Sequence, residues 1–424
     1  MLCLRRLASA SAPARRLASN APVAPVAPSP SRAVARTADP IVVRMRALTA
    51  RSPDVASLAQ GVVHWSPPEP AIDAAAAAAR EPSSHSYCDD RGWDPLRDAL
   101  QRKLADEHGL VNSDVMVTAG ANQAFANLAL TLLDASDCAL LFAPYYFNHK
   151  MMLETRGCHV YVAPATHDFL PRLEDVEAAL ACEDPPKMVI VVNPGNPTGT
   201  LVPRARLEAI RDACAARGCW LVVDNTYCDF TYDGAAHDCV EGEHVINLFS
   251  FSKAYGLMGW RVGYIAHPAH LAGNLLKAQD SVAICAPVAS QKVALAALEE
   301  AGSPWVREKV EALAARQKRA VLEALAPLGA EAISGAADGA IYLMATLPDA
   351  RDDEAIVEWL CERHGVAVIP GTAHGLPGTV RVCYANLDAD ACEDACERLR
   401  FACEILAAGG GPGTVAGNWG GIYK

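Results

Sequence analysis

The feature that most limits how this chain can fold is a series of seven short apolar runs between residues 113 and 268. The runs read DVMVTAG, CALLFAPYY, CHVYVAP, KMVIVVNPG, CWLVVDNTY, VINLFSFSK and RVGYIAHP. Segments with helical periodicity, such as NQAFANLALTLL and RARLEAIRDACAARG, lie between some of them. Near-continuous apolar strands alternating with helices are typical of a mostly parallel sheet that is buried on both faces. The sequence therefore predicts an α/β fold.

The pattern changes after about residue 293, where long helical stretches precede a few short strands and a closing helix. A chain of 424 residues is long enough for two domains. We predict a large domain over residues 71–292 and a smaller α+β domain over residues 293–407. Residues 39–70 are expected to form an N-terminal arm and part of the small domain, and residues 408–424 a flexible tail.

Residues 1–38 differ in composition from the rest of the chain. They contain six arginines and many Ala, Ser and Pro residues, and no acidic residue precedes Asp39. This composition is typical of an organelle transit peptide, which is disordered before import. We therefore expect a mitochondrial or plastid address. The alternative is a disordered tail without an address, which would leave the protein in the cytoplasm.

Charge and cysteine content exclude several classes of function. A net charge of −12 disfavours a nucleic-acid partner, and no apolar run is long enough to span a membrane. The fifteen cysteines form no CxxC pair, which indicates reduced thiols rather than a disulfide framework. The nearest approach to a metal-ligand spacing is HPAH at residues 267–270, and no further Cys/His pair accompanies it. We expect no metal.

Polar and aromatic residues follow the predicted strands at the points where the strands end. The residues concerned are Gly120, Ala121, Asn122, Tyr145, Tyr146, Asn196, Asp224, Tyr227, Ser250, Ser252, Lys253 and Arg261. In an open parallel sheet such residues meet at the carboxyl edge, where ligands bind, and a helix N-terminus there attracts an anion. A phosphate-bearing aromatic cofactor that reacts with an amine would need this set. Pyridoxal 5′-phosphate is such a cofactor.

The motifs NPGNPTGT, DNTY and SFSKAYGLMGWRVGY stand in an order and spacing that resemble the class I aminotransferases of the pyridoxal-phosphate, fold type I superfamily. The resemblance covers residues 41–407. More narrowly, SLAQGVVHWSPP, VMVTAGANQAF, APYYFNHKM, GCWLVVDNTY and HGVAVIPG resemble plant aromatic aminotransferases, which use aromatic amino acids, methionine and indole-3-pyruvate. The resemblance implies a large domain with a mostly parallel central sheet and helices on both faces, beside a smaller α+β domain.

The resemblance also implies catalytic roles. Lys253 would bond covalently to the cofactor and, once displaced by the substrate, move a proton between the substrate Cα and the cofactor C4′. Asp224 would pair with the pyridine nitrogen and keep it protonated. Tyr227 and Asn196 would reach the 3-oxygen of the cofactor.

The resemblance further implies how the cofactor is held. Ser250, Ser252 and Arg261 would hold the phosphate together with three backbone N–H groups. Those N–H groups belong to Gly120, Ala121 and Asn122. Tyr146 would stack on the pyridine ring, where the family often has tryptophan. Tyr87 resembles a tyrosine that reaches the phosphate of the neighbouring subunit, which implies a homodimer with shared active sites.

For the substrate, the resemblance implies that Arg381 binds the α-carboxylate with two parallel hydrogen bonds, assisted by Asn196 and the backbone of Gly61. No second arginine stands out for a distal carboxylate. Apolar walls are expected from three residues: Val62, His64 and Trp65. This pattern favours aromatic or methionine-like side chains over aspartate, and it leaves 2-oxoglutarate open as an acceptor.

The expected activity is a ping-pong aminotransferase acting on aromatic amino acids or methionine with 2-oxo acids. A lyase on the same fold, which cleaves C–S bonds or eliminates at Cβ, would need the same Lys253 and Asp224 and stays open. A cofactor-binding regulator would carry a DNA-binding module, and the Pro- and Ala-rich N-terminal segment lacks the helical pattern for one.

Overall fold

The computed structural model describes residues 27–413, except residues 53, 334 and 336. The described strands are β1 Ala56–Ser57, β2 Ser113–Thr118, β3 Cys138–Phe142, β4 His159–Ala163, β5 Met188–Val192, β6 Trp220–Asp224, β7 Val245–Ser250, β8 Gly263–Pro268, β9 Tyr342–Thr346, β10 Val366–Ala367, β11 Ile369–Pro370 and β12 Thr379–Cys383. The described α-helices are α1 Arg32–Arg36, α2 Ile41–Thr49, α3 Glu69–Ala78, α4 Asp94–His108, α5 Ala121–Leu132, α6 Phe147–Arg156, α7 Leu173–Leu180, α8 Arg204–Ala215, α9 Ala272–Val282, α10 Val288–Ala296, α11 Gly302–Leu313, α12 Arg319–Leu325, α13 Asp353–His364 and α14 Ala389–Ala407.

The seven predicted apolar runs form the seven strands of one sheet, in the order β2-β8-β7-β6-β5-β3-β4. Strand β8 runs antiparallel to both of its neighbours, and the other six strands run parallel to one another. The prediction of a mostly parallel sheet is therefore confirmed. Because six strands point the same way, the residues that follow them gather at one edge.

Both faces of this sheet are covered by helices, which explains why its strands are apolar without alternation. In β5, Ile190 packs on one face with Leu128 of α5, while Val189 packs on the other face with Leu207 of α8. All four side chains are at most 2% exposed. The sheet is thus the middle layer of three, and its carboxyl edge is the part left open for a ligand.

The C-terminal part of the chain contains a second, antiparallel sheet with the strand order β11-β12-β9. Helices α13 and α14 accompany it, and Arg381 lies in its central strand. The short strand β1 pairs in parallel with β10, so residues 56–57 of the N-terminal arm join the C-terminal part. This arrangement is the smaller α+β unit that the resemblance implied. The exact domain boundaries stay predictions.

Several other expectations concern the ends and the surface of the chain. Of the predicted transit segment, residues 1–26 lie outside the described residues, and residues 32–36 form α1. Of the predicted tail, residues 414–424 also lie outside them. The fourteen cysteines within the described residues are free thiols. None of the helices described is both long enough and apolar enough to cross a membrane.

Candidate active site

A cavity of about 430 Å³ opens at the carboxyl edge of the large sheet. Of the residues predicted to act in catalysis or to bind cofactor or substrate α-carboxylate, all except Gly120 and Tyr87 line it. The predicted residues in its lining are Gly61, Ala121, Asn122, Tyr146, Asn196, Asp224, Tyr227, Ser250, Ser252, Lys253, Arg261 and Arg381. Residues from both sheets therefore face one volume of the size that small-molecule sites have in proteins.

One end of the cavity is built to bind an anion. Helix α5 begins there at Ala121 without a side-chain cap, so its first N–H groups and its positive dipole end face the cavity. Arg261 lies beside them, with Nη1 donating to the Met258 carbonyl at 2.9 Å. Ser250 and Ser252 complete this end, and the Ser252 N–H donates to Ser250 Oγ at 3.1 Å. This set of donors suits a phosphate group.

Gly120 contributes space rather than a hydrogen bond. Its N–H donates to the Thr118 carbonyl at 2.8 Å, so the expectation that this N–H binds the phosphate needs correction. Its φ is +86°, and a Cβ at this position would lie 2.5 Å from Arg261 Nη2. Arg261 itself has φ +55°, a left-handed conformation that is strained for a residue with a side chain. Glycine at 120 therefore lets the guanidinium approach the start of α5.

Asp224 is the last residue of β6 and is 3% exposed. Its Oδ2 lies 3.0 Å from His149 Nε2, and its Oδ1 accepts hydrogen bonds from the N–H and hydroxyl of Thr226 at 3.0 and 2.6 Å. Burial alone would raise the pKa of this carboxyl, but the bonds from His149 and Thr226 outweigh it and lower the pKa. The cavity therefore has a fixed, ionised carboxylate in its wall.

Lys253 follows β7 and extends into the middle of the cavity, where its amine donates to the Gly61 carbonyl. Burial lowers the pKa of the amine to about 8; Cys383 opposes the shift, and the nearby Arg261 and Arg381 add to it. A substantial fraction of the amine is therefore neutral near physiological pH, as a nucleophile or base requires.

Two phenols and an amide form a hydrogen-bonded group in the cavity wall. The hydroxyls of Tyr227 and Tyr342 are 2.6 Å apart, and Asn196 Nδ2 donates to Tyr227 at 3.5 Å. Burial raises the pKa of both phenols, so both keep their protons. A ring substituent near Tyr227 would thus meet two neutral hydrogen-bonding side chains.

Arg381 is 2% exposed and has no acidic partner among the described residues. Its Nη1 donates to Asn196 Oδ1 at 3.0 Å, its Nη2 to the Ala59 carbonyl at 2.7 Å, and its carbon Cζ lies 4.4 Å from the centre of the Tyr342 ring. Its Nε is buried without a hydrogen-bond partner. A buried cation without a counter-ion is costly, and a bound carboxylate would compensate it.

Two of the three residues that were expected to form apolar walls lie outside the lining of the cavity. Val62 lines the cavity, whereas His64 and Trp65 do not. The His64 ring contacts the Ala385 carbonyl at 3.2 Å, and the Trp65 ring packs on Phe230. These two rings therefore pack outside the lining of the cavity. Tyr87 is 76% exposed on the surface, away from the cavity of its own chain.

Some residues at the site carried no signal in the sequence. His149 lies on α6, Tyr342 begins β9 and Arg46 lies on α2, and each reaches the cavity from a distant part of the chain. Arg46 is exposed and forms no ion pair within the described part of the chain. Only the strand ends could be located by pattern, so these three residues were missed, whereas Arg381 of the small sheet was found through the family resemblance.

Comparison with known proteins decides the family. Residues 53–399 match the model for aminotransferase class I and II. The chain belongs to the class I and II aminotransferases. This aminotransferase is 49% identical to aromatic aminotransferase ISS1 of Arabidopsis thaliana, over 89% of this chain and 96% of that protein. It is 31% identical to aspartate/prephenate aminotransferase of Thermus thermophilus, over 89% and 95% of the two chains.

Solved structures agree with this assignment. Aspartate aminotransferase from Thermus thermophilus with maleate superposes with a TM-score of 0.81 at 28% identity, covering 89% of this aminotransferase and 100% of that chain. The fold is therefore the fold type I aminotransferase fold that the motifs predicted. As a member of the family, the enzyme moves amino groups between amino acids and oxo acids.

The family depends on pyridoxal phosphate, and the cavity of this aminotransferase fits that group. The uncapped start of α5 with Arg261 suits the phosphate, and Lys253 has the lowered pKa that reaction with an aldehyde requires. Asp224 provides an ionised carboxylate, which would pair with a protonated ring nitrogen. The aromatic plane of Tyr146 lies in the same wall.

Proposed function

We propose that this aminotransferase transfers the amino group between aromatic amino acids or methionine and 2-oxo acids by a ping-pong mechanism. The observation that carries the proposal is the position of Arg381, which is buried without a counter-ion. It lines the same cavity as Lys253, whose amine has a lowered pKa. An α-carboxylate bound by Arg381 would be held within the same cavity as that amine. Both half-reactions need this geometry, because amino acid and oxo acid share the carboxylate.

We assign the roles in the reaction as follows. Bound pyridoxal phosphate supplies the electron sink that makes the substrate Cα–H acidic. Ser250, Ser252 and Arg261 hold its phosphate at the start of α5, and Asp224 holds its ring nitrogen. The freed amine of Lys253 accepts the proton from the substrate Cα.

The specificity for apolar side chains is supported by the cavity wall and by the relatives. Val42, Val62, Phe147 and Met258 line the cavity, and none of these side chains carries a charge. The 49% identical relative is named an aromatic aminotransferase. Methionine is proposed because its flexible, polarizable side chain fits irregular apolar space. Arg46, at the same cavity, would suit the distal carboxylate of a dicarboxylic acceptor such as 2-oxoglutarate.

We further propose that the enzyme is a homodimer with shared active sites and that residues 1–38 direct it to a mitochondrion or plastid. The exposed ring of Tyr87 supports the first, because an aromatic side chain 76% exposed is suited to contact another subunit. The arginine-rich, acid-free composition supports the second. Fusing residues 1–38 to a fluorescent protein would test the address, and diffuse cytoplasmic fluorescence would contradict it.

The specificity is tested by a matrix of amino donors against 2-oxo acids, using purified enzyme without residues 1–38. Tryptophan, phenylalanine, tyrosine or methionine should rank above aspartate by kcat/KM, and aspartate in first place would contradict the proposal. The lyase alternative is examined in the same reactions. Ammonia and pyruvate released without an acceptor would favour a lyase.

The role of Arg381 is tested by Arg381→Leu with two donors that differ only in the carboxylate. We expect kcat/KM for phenylalanine to fall about 100-fold or more, because two bonds to a charged group are lost. Phenethylamine, which lacks the carboxylate, serves as the matched control, and its kcat/KM should fall far less than that of phenylalanine. If kcat/KM falls equally for phenylalanine and phenethylamine, Arg381 does not bind the substrate carboxylate.

A further inference from the structure

A cluster of three side chains that can bind a metal lies outside the cavity described above. It consists of His108, His237 and Cys239, each of which offers one ligand atom. These three atoms lie within 4.8 Å of one another, and Cys239 Sγ is 3.9 Å from His237 Nδ1. Within the part of the chain that the structure describes, it is the single group of three His, Cys, Asp or Glu side chains with this geometry.

The hydrogen bonds around His237 define which of its nitrogens carries the proton and which presents a lone pair. Its Nε2 lies 3.2 Å from the Asn193 carbonyl and 3.0 Å from Asn225 Oδ1, and both partners are acceptors. The orientation of Asn225 is fixed because its Nδ2 donates to Val223 O and Asn247 Oδ1. The neutral ring therefore carries its proton on Nε2, and Nδ1 presents a lone pair to Cys239. Metal-binding histidines typically donate their second N–H to a carbonyl in this way.

His108 has a ring nitrogen that lacks a hydrogen-bond partner. Its Nε2 is buried and has no hydrogen-bond partner, whereas buried polar atoms in native proteins are nearly always satisfied. His108 is the last residue of α4, and its ring lies edge-on to that of His237, with 5.8 Å between centroids. A purely structural network would leave this nitrogen unpaired. A metal ion would give it a partner, and Nδ1 of His237, which now faces the Cys239 thiol at 3.9 Å, would be a second ligand.

We propose that His108, His237 and Cys239 bind a zinc ion. Two imidazoles and one thiolate are ligands that zinc prefers, and magnesium or calcium would require oxygen ligands. Tetrahedral zinc places such ligand atoms about 3.3 to 3.6 Å apart, so any two of them need to approach by about 1.5 Å at most. The two histidines are partly exposed as residues, while Cys239 is 4% exposed. A water molecule would occupy the fourth position.

The surrounding charges and the chain connections are compatible with this site. Lys103 lies near His108, and its charge is balanced by Asp229, whose carboxylate is 3.7 Å from the Lys103 amine. A zinc ion would connect the end of α4 to the loop that carries His237. That loop in turn holds Asn193, which directly follows β5, and Asn225, which directly follows β6. The ion would therefore stabilise the loops that lead to the catalytic residues without contacting the substrate.

The test measures zinc bound to cofactor-loaded enzyme under a non-thiol reductant, using a competing chromophoric chelator and X-ray absorption at the zinc edge. We expect one zinc ion per chain, with scattering from one sulfur at about 2.3 Å and nitrogen at about 2.0 Å. Cys239→Ser should remove the sulfur scattering, and Cys239→Ser and His108→Gln should each weaken zinc binding at least tenfold. Cys158→Ser, which alters a buried thiol remote from the cluster, is the matched control and should bind zinc unchanged.

Two results would overturn the proposal. One is an unsubstituted enzyme that retains no zinc at micromolar free zinc. The other is zinc binding of equal affinity in the Cys239→Ser variant. The absorption spectrum of the unsubstituted enzyme needs no variant, so its zinc–sulfur distance decides the matter even if a variant fails to fold. A transaminase of any specificity could carry this site, so its failure would leave the proposed function untouched.

Discussion

At the scale of single residues, the reactivity of Lys253 depends mainly on its removal from water. Burial lowers the pKa of its amine to about 8, and Arg261 and Arg381 add repulsion. Because the folded pKa is below the ordinary value of 10.5, the unfolded chain binds the proton more tightly. This amine therefore costs stability at neutral pH, and that cost is relieved as pH rises from about 8 to 10.5.

The first prediction concerns the rate at which cofactor-free enzyme bonds to pyridoxal phosphate. With a pKa near 8, the rate should rise about fivefold between pH 7 and 8 and less than twofold between pH 8 and 9. Stopped-flow absorbance measures this rate. Arg381→Met removes one repelling cation and should move the profile to higher pH. A rate that still rises tenfold per pH unit at pH 9 would show an ordinary lysine.

The second prediction separates donor from acceptor recognition. Arg46 lines the cavity on α2, whereas Arg44 on the same helix is paired with Glu354 at 3.2 Å. Arg46→Met should raise KM for 2-oxoglutarate about tenfold, because a bond to a charged group is lost. KM for phenylpyruvate should stay unchanged, and the control Arg44→Met should alter neither value. If the unsubstituted enzyme, Arg46→Met and Arg44→Met have equal KM values for 2-oxoglutarate, Arg46 does not bind its distal carboxylate.

At the scale of elements, what the sequence could predict follows from strand ends. Asp224, Ser250 and Lys253 each end or follow an apolar strand, and parallel strands bring their ends together whatever the intervening loops do. His149 could not be found in this way, because a histidine on a helix face is indistinguishable from one in a core. Tyr342 belongs to the other sheet, and its contact with Tyr227 spans 115 positions of sequence.

The zinc ligands illustrate the same limit. His237 and Cys239 are two positions apart, but His108 comes from the end of α4, far away in sequence. In the sequence, the spacing of the two histidines in HPAH resembles that of metal ligands more closely. In the structure, however, these histidines have separate partners. His267 contacts the Pro268 carbonyl and His270 contacts Glu243, each at 3.0 Å. Spacing along the chain therefore predicts a site only where the ligands share one local element.

The third prediction concerns the junction between Gly120 and helix α5. Gly120→Ala would place a Cβ 2.5 Å from Arg261 Nη2 and displace the guanidinium from the anion-binding end. We expect the affinity for pyridoxal phosphate to fall at least tenfold by equilibrium titration. Gly109→Ala is the matched control, since Gly109 also has a positive φ, +66°, but open space around its Cβ position. Gly109→Ala should lower thermal stability and leave cofactor affinity unchanged. If the two variants bind the cofactor with equal affinity, Gly120 has no role in phosphate binding.

At the scale of the whole molecule, the position of Tyr87 raises the question of which cavity it serves. Its ring is 76% exposed, and it is absent from the lining of the cavity in its own chain. The other predicted phosphate ligands with side chains, Ser250, Ser252 and Arg261, all line that cavity. A tyrosine that serves the phosphate only across a subunit boundary would show this pattern, and each active site would then depend on two chains.

The fourth prediction tests this dependence with mixed dimers. Tyr87→Phe homodimers should bind pyridoxal phosphate about tenfold more weakly, since a hydrogen bond to a charged group is lost, and Lys253→Ala homodimers should be inactive. Co-expression with two different affinity tags allows heterodimers of these chains to be purified. If Tyr87 acts across the boundary, the Tyr87→Phe chain receives an intact Tyr87 from its partner. One of the two sites then has unaltered cofactor affinity and full turnover, while a tyrosine acting within its own chain would leave no intact site.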